Sequence, residues 1–310
     1  MTNKIIRIGT RDSQLAIWQA TQVQEQLAAN GFAAELVPLK SEGDLDLVTP
    51  LYEMGVQGVF TKTLDAALLS DRFDIAVHSM KDVPTQTAKG IVPVAVLKRG
   101  SHKDLLVPKN GTGFLEDDQY KALIATSSIR RRAQWLHRFP QHNITNLRGN
   151  VNTRLRKLSE ENWDGAIFAA AGLERTELKP AGSIELDWML PAPAQGAILV
   201  VCREEDRFSY DACRLLNHAP TELCTRIERD FLRGLMGGCS TPISALASID
   251  ENTHTISFKG NIFSTDGKDH LSIELEEALV AGNASLGTRA AEKLLAQGAA
   301  RIVEQIKNGN

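Results

Sequence analysis

The chain has 310 residues, 43% hydrophobic and 24% charged, with a formal net charge of -3. That length is too great for one small core, so two or three domains are expected. A pI near 6.2 argues against a general nucleic-acid coat or a polybasic membrane binder. No apolar run approaches a membrane span, and Cys202, Cys213, Cys224 and Cys239 lack the spacing of a disulfide scaffold or a zinc site.

The N-terminal "MTNKIIRIGTRDS" reads as a strand entering a loop, not a signal peptide, and a reducing cytoplasm is the expected compartment. "IIRIG" (5–9) is a strand and Ser13 is placed to cap the helix that follows. "AAELVPL" (33–39) is the next strand, "EMGVQGVF" (53–60) a glycine-punctuated loop, "TKTLDAALLS" a helix and "FDIAVHS" a strand. This alternation predicts an open α/β sheet. After the linker "KRGSH" a second α/β block follows. Its strands are "KDLLVP", "ALIAT", "NITNL" and "DGAIFAAAG", and its helices begin in "SSIRRRAQWLHRF" and "NVNTRLRKLS". "AILVVCR" (197–203) is one more strand. Beyond about 218 the pattern changes to a helix, antiparallel strands in "PISALASI" and "HTISFKGNIFS", and a closing helix in "NASLGTRAAEKLLAQG". That pattern predicts a small α+β domain.

Three groups stand out chemically. From Thr126 to Lys157 there are seven Arg and one Lys and no acid. Consecutive helix residues project about 100° apart, so Arg130, Arg131 and Arg132 cannot share a face. Either the run is a solvated surface, or Ser127, Ser128, Arg130 and Arg131 gather at a helix start to hold an anion. Arg148, Gly149 and Arg154 in "NLRGNVNTR" repeat the theme, and arginine grips carboxylate or phosphate with paired hydrogen bonds. A small polyanion suits the run better than a nucleic acid, because aromatic interleaving is weak.

The second group is Lys81–Asp82, after the buried strand of "DIAVHSMKDVP". It is either a solvated turn or a site at a strand end. Lys81 is suited to a carboxylate and Asp82 to a cationic intermediate, while His78 has no metal-ligand partners at recognisable spacing. The third is Cys239 in "RGLMGGCSTP", either an inert loop thiol or a modified one. Cys202 and Cys224 read as core residues. No phosphate-binding-loop motif is present.

"RIGTRDSQLAIWQA", "DIAVHSMKDVP", "ATSSIRRRAQ", "LRGNVNTRL", "AAAGLERT", "LPAPAQGA" and "ERDFLRGLMGGCSTPI" run in the order found in one known family. Through them the chain resembles the porphobilinogen deaminase (hydroxymethylbilane synthase) family. The resemblance implies two similar periplasmic-binding-protein-like α/β lobes and a small C-terminal α+β domain. The implied boundaries are 1–98 with 196–216, 102–192, and 220–310. It implies a dipyrromethane cofactor joined by a thioether to Cys239, and Asp82 as the catalytic carboxylate. Lys81, Asp82, Ser128, Arg130 and Arg131 are the implied cofactor contacts. Arg11, Ser13, Arg148, Arg154 and Arg175 are the implied groups around substrate. No metal, nucleic acid or membrane is implied.

The implied reaction is a transferase step of tetrapyrrole (heme) biosynthesis. Four porphobilinogen molecules condense head to tail with loss of ammonia, and water releases linear hydroxymethylbilane. The implied protein is a monomer whose product passes to a ring-closing enzyme. Two positions depart from the family pattern: Gln57 stands where a loop lysine is common, and Ala194 precedes Gln195 where glycine is common. The rival reading is a non-catalytic α/β protein that binds an anionic ligand.

Overall fold

The computed structural model describes residues 4–40, 61–235 and 241–308. The first elements are β1 (Ile6–Arg11), α1 (Gln14–Ala29), β2 (Ala34–Leu39), α2 (Lys62–Leu69), β3 (Ile75–Ser79) and β4 (Ile91–Val96). Next come β5 (Asp104–Pro108), β6 (Leu123–Ala125), α3 (Ile129–Arg138), β7 (Asn143–Thr145), α4 (Val151–Glu160), β8 (Gly165–Ala169), α5 (Ala170–Arg175) and β9 (Ile184–Glu185). The chain ends with β10 (Ile198–Arg203), α6 (Arg207–Arg214), α7 (Ala219–Gly234), β11 (Ile243–Asp250), β12 (Thr255–Phe263), β13 (His270–Ala278), α8 (Leu286–Leu294) and α9 (Ala300–Asn308).

Among the described residues these strands form two five-stranded sheets and one three-stranded sheet. The five-stranded sheets share one plan. The first has the order β2-β1-β3-β10-β4 and the second β7-β6-β8-β5-β9. Each has three parallel strands, then a strand running antiparallel to both its neighbours, then an outer strand. In each the antiparallel strand is the first one laid down after the chain arrives from elsewhere. The chain leaves the first compact unit after Gly100 and re-enters it at Gly196.

The sequence explains why these runs become strands. β3 and β10 are covered on both faces, and accordingly read as apolar runs rather than alternations, β3 as far as the buried His78. α1 lays Ala16, Ala20, Val23 and Leu27 inward at helical spacing. In β5, Leu105 and Val107 join one core cluster and Leu106 another, as the two-residue period requires.

The C-terminal part is an antiparallel meander, β11-β12-β13. Ile243, Ala245, Ala247 and Phe258 of the sheet pack with Ile227 and Phe231 of α7, Ala290 and Leu294 of α8, and Ile302 and Ile306 of α9. This part sits in one compact unit with the second five-stranded sheet, and α3 joins the two. The buried Gln134 side chain donates to Ser244 Oγ (2.9 Å) and the Leu190 carbonyl (3.0 Å), and accepts from Leu190 N–H (2.8 Å). The β12–β13 turn lies so close to α3 that a Cβ on Gly267 would come within 2.4 Å of the Ala133 carbonyl oxygen. Glycine is therefore required there, and its φ of 76° requires it independently.

The two α/β lobes and the α+β domain agree with the fold class expected from sequence. Some elements differ. "DGAIFAAAG" is a strand only to Ala169, because Ala170 and Ala171, strong helix formers, open α5. The sequence reading passed over β9, α6, β13 and α9. The closing helix breaks at Gly298 (φ 104°), and α9 restarts with Ile302 and Ile306 buried four residues apart.

Candidate functional site

In the first lobe, β1 and β3 are adjacent and parallel, so their C-terminal ends share one sheet edge. Ligands of open α/β sheets bind at such edges. β1 delivers the half-buried Arg11 there, and Ser13 follows at the N-cap of α1, although its hydroxyl makes no capping bond. β3 ends at Ser79, which accepts a hydrogen bond from Gln19 of α1 (2.9 Å). A single 3₁₀ turn, Met80–Asp82, follows, and Met80 N–H donates to the Ala197 carbonyl (3.0 Å) at the entry to β10. Lys81 and Asp82 are both half-buried. His78, wholly enclosed in β3, is pushed down to about 4 by burial and secondarily by the charge of Arg11. It is a neutral interior histidine.

In the second lobe, β6, β7 and β8 are parallel and their C-terminal ends again share one edge. β6 leads into Thr126–Ser128 and α3, β7 into Arg148–Asn150 and α4, and β8 into α5 with Arg175 in its last turn. Thus Ser128, Arg130, Arg131, Arg148, Arg154 and Arg175 all issue from one side of one sheet. Ser127 Oγ accepts from Leu147 N–H (2.8 Å), tying the first loop to the second. Ser128 caps α3 by accepting from Arg131 N–H, and Asn150 caps α4 by accepting from Thr153 N–H. Gly149 has φ 111°, and its carbonyl accepts from Arg154 Nε (2.7 Å), setting that side chain against the loop. Arg148 is buried, Arg154 and Arg175 are half-buried, and burial lowers the Arg175 pKa.

The arginine run resolves into two inward residues and one outward. Arg130 and Arg131 are 4% and 5% exposed, whereas Arg132 faces solvent. The inward pair shares one counter-ion, Asp104 at the start of β5, which is 0% exposed. Asp104 Oδ2 accepts from Arg130 (2.7 Å), and Oδ1 from Arg131 Nε (3.1 Å) and a terminal nitrogen (2.7 Å). Arg130 also donates to the Leu190 carbonyl (2.7 Å) and Arg131 to the Ile167 carbonyl (2.9 Å). Gln195 Nε2 completes the group, donating to Asp104 Oδ1 (2.9 Å) and the His102 carbonyl (2.8 Å). Burial pushes the Asp104 carboxyl up, but Arg130 and Arg131 outweigh it and hold the group far below the usual carboxylate range.

This cluster contains two guanidiniums and one carboxylate, so it carries a net positive charge. Arg130 Nε is buried without an acceptor among the described residues. Both features fit a carboxylate-bearing group such as a dipyrromethane.

Asp104 escaped the sequence reading because it lies 26 residues before Arg130, at the head of an apolar strand. The available signal was the absence of any acid between 126 and 157. Glu228 was also missed. It is fully buried and accepts from the backbone N–H of Ala194 (2.6 Å) and Ala247 (2.8 Å). Ala194 has φ 63°, a conformation in which the glycine common in the family is unstrained. Cys239 and Gln57 lie outside the described residues.

Two α/β sheets of one plan, each gathering cationic side chains at the carboxyl ends of its parallel strands, define a multidomain α/β protein. Sequence profiles narrow the class. "Porphobilinogen deaminase, dipyromethane cofactor binding domain" matches residues 6–211, and "Porphobilinogen deaminase, C-terminal domain" matches 222–296. The chain is 43% identical to a porphobilinogen deaminase of Syntrophotalea carbinolica, over 98% of this chain and 96% of that one. It is 40% identical to one from Trichlorobacter lovleyi, over 99% and 98%. Among solved structures, the methionine-binding protein MetQ overlaps with a TM-score of 0.46 at 14% identity, over 69% of this chain and 90% of that one. The chain belongs to the porphobilinogen deaminase family.

Proposed function

We propose that Asp82 is the catalytic carboxylate of this chain and that its arginines hold the acidic side chains of substrate and cofactor. The activity is that of the family: deaminating head-to-tail condensation of four porphobilinogen molecules, then hydrolytic release of linear hydroxymethylbilane. The dipyrromethane group, when bound, supplies the free pyrrole position on which condensation starts. Its attachment to Cys239 is part of the proposal.

Each residue's role follows from charge and place. Porphobilinogen carries an acetate and a propionate, so every ring brings two carboxylates. Arg11, Ser13, Arg148, Arg154 and Arg175 are assigned to those on the incoming ring. Lys81, Ser128, Arg130 and Arg131 are assigned to those of the cofactor. Arginine forks suit paired carboxylate oxygens, and partial burial strengthens each contact. Asp82 accepts from pyrrole N–H and stabilises the positive charge that develops as ammonia departs. It also serves as a proton acceptor when the ring regains aromaticity.

The supporting observation is the setting of Asp82. It is half-buried where the parallel strands β1 and β3 end, beside Lys81, and no hydrogen bond or ion pair to its carboxylate forms among the described residues. A carboxylate left open among the described residues, at a strand-end edge, is placed to accept from a cationic ligand. We further assign three domains, at 1–98 with 196–216, 102–192 and 220–310. We also assign a monomeric state, a cytoplasmic location and delivery of product to a ring-closing enzyme. No described helix is long and apolar enough to cross a membrane. The test is to supply purified protein with porphobilinogen and follow ammonia and hydroxymethylbilane. Release of both supports the reading, and saturable binding without either product supports the anion-binding rival.

A further inference from the structure

A group joined to a side chain is added after the polypeptide is made, so this chain passes through a cofactor-free state. Two arginines at 4% and 5% exposure would be hard to bury in that state without a counter-ion. None comes from the segment that carries them, since 126–157 contains no acid. The counter-ion comes from another strand. Asp104 divides its two oxygens between the guanidiniums, and Gln195 steadies the oxygen that serves Arg131. The balance is incomplete, with one positive charge in excess and Arg130 Nε without an acceptor among the described residues.

We propose that Asp104 is the resident counter-ion that keeps Arg130 and Arg131 buried and aligned before the cofactor is attached, and that the cofactor carboxylates supply the remaining negative charge. The proposal rests on the assignment of Arg130 and Arg131 to the cofactor. Asp104 is accordingly a positioning residue. It has a thermodynamic signature that a purely structural residue lacks. Anything that binds the folded state stabilises it, and by more when it relieves a larger uncompensated charge. Loss of Asp104 therefore harms the cofactor-free protein more than the loaded one.

The experiment compares thermal midpoints of cofactor-free and loaded protein, with loading verified by intact mass. Cofactor-free protein is made in a host that forms no porphobilinogen, and loaded protein by supplying porphobilinogen. The variants are wild type, Asp104→Asn and Arg131→Leu. The gap between loaded and free midpoints is expected to widen in Asp104→Asn, by at least about twofold. Recovery of Asp104→Asn only in the loaded form is the same result at its limit. In Arg131→Leu, which leaves one arginine balanced by Asp104, the gap is expected to narrow. Equal loss in both forms of Asp104→Asn, with a narrowed gap in Arg131→Leu, overturns the proposal and spares the arginine assignment. An unchanged gap in both variants overturns both. If Asp104→Asn is lost in both forms, Asp104→Glu, which keeps the charge but displaces it, is read by the same criteria.

Discussion

Asp104 and Arg131 meet at a single carboxylate oxygen, which accepts from Arg131 Nε at 3.1 Å and from a terminal nitrogen at 2.7 Å. The same guanidinium reaches the Ile167 carbonyl at 2.9 Å. Three directions are thus used by one planar group, and lysine cannot reproduce them. Arg131→Lys keeps the charge but loses the fork. It is expected to lower stability by about 1–3 kcal/mol, read from denaturant unfolding. An unchanged midpoint would mean the contacts contribute nothing net.

Acid is expected to weaken the protein in two stages. His78 is pushed down to about 4, chiefly by burial, and the Asp104 carboxyl is also depressed. In both cases the folded pKa lies below the unfolded one. The stabilisation is therefore complete above the unfolded value and is lost as pH falls toward the folded one. The His78 window runs from 6.5 down to about 4 and is worth up to about 3 kcal/mol. The Asp104 window lies below the ordinary carboxylate range. His78→Gln should flatten the decline between pH 6.5 and 4 in unfolding experiments. Persistence of the full decline would assign it to other groups, of which His142 and His270 are also depressed by burial.

Asp82→Ala is expected to reduce porphobilinogen turnover by about 10²–10³-fold, the usual scale for removing a group that stabilises transition-state charge. The Met80–Asp82 turn is fixed from the backbone by Met80, so the fold should persist. Turnover and circular dichroism together check this. Wild-type turnover in a folded variant would remove Asp82 from the mechanism.

The sequence made the lobes legible because β3, β8 and β10 are short apolar runs bounded by turn residues, a local signal. It made Lys81–Asp82 and the arginine run legible because their place after buried strands is also local. Asp104 was not legible, since its pairing with Arg130 depends on β5 lying beside β8 and running antiparallel to it. The return of β10 to the first sheet is likewise a long-range pairing that no local pattern announces. Strand β13 was missed because its alternation of Glu with Leu and Ile is that of a half-exposed strand and resembles a charged surface.

The α3 contact with the C-terminal sheet yields a further prediction. Gln134→Ala removes three hydrogen bonds and strands Ser244, which is 0% exposed. A loss of about 1–3 kcal/mol is expected from leaving that hydroxyl unsatisfied. Ser244→Ala in the same background should add little, because the two changes share one interaction. Additive losses in the double-mutant cycle would show that the bond does not couple the two elements.

The central claim is a pyrrole primer tethered at Cys239 and held by arginines. Intact-protein mass spectrometry of natively expressed wild type and Cys239→Ala tests it most directly. The account predicts wild type heavier than its polypeptide by two linked pyrrole rings, and Cys239→Ala without that addition. Folded wild-type protein at bare polypeptide mass, in repeated preparations made with porphobilinogen present, would contradict it, as would the same adduct retained in Cys239→Ala.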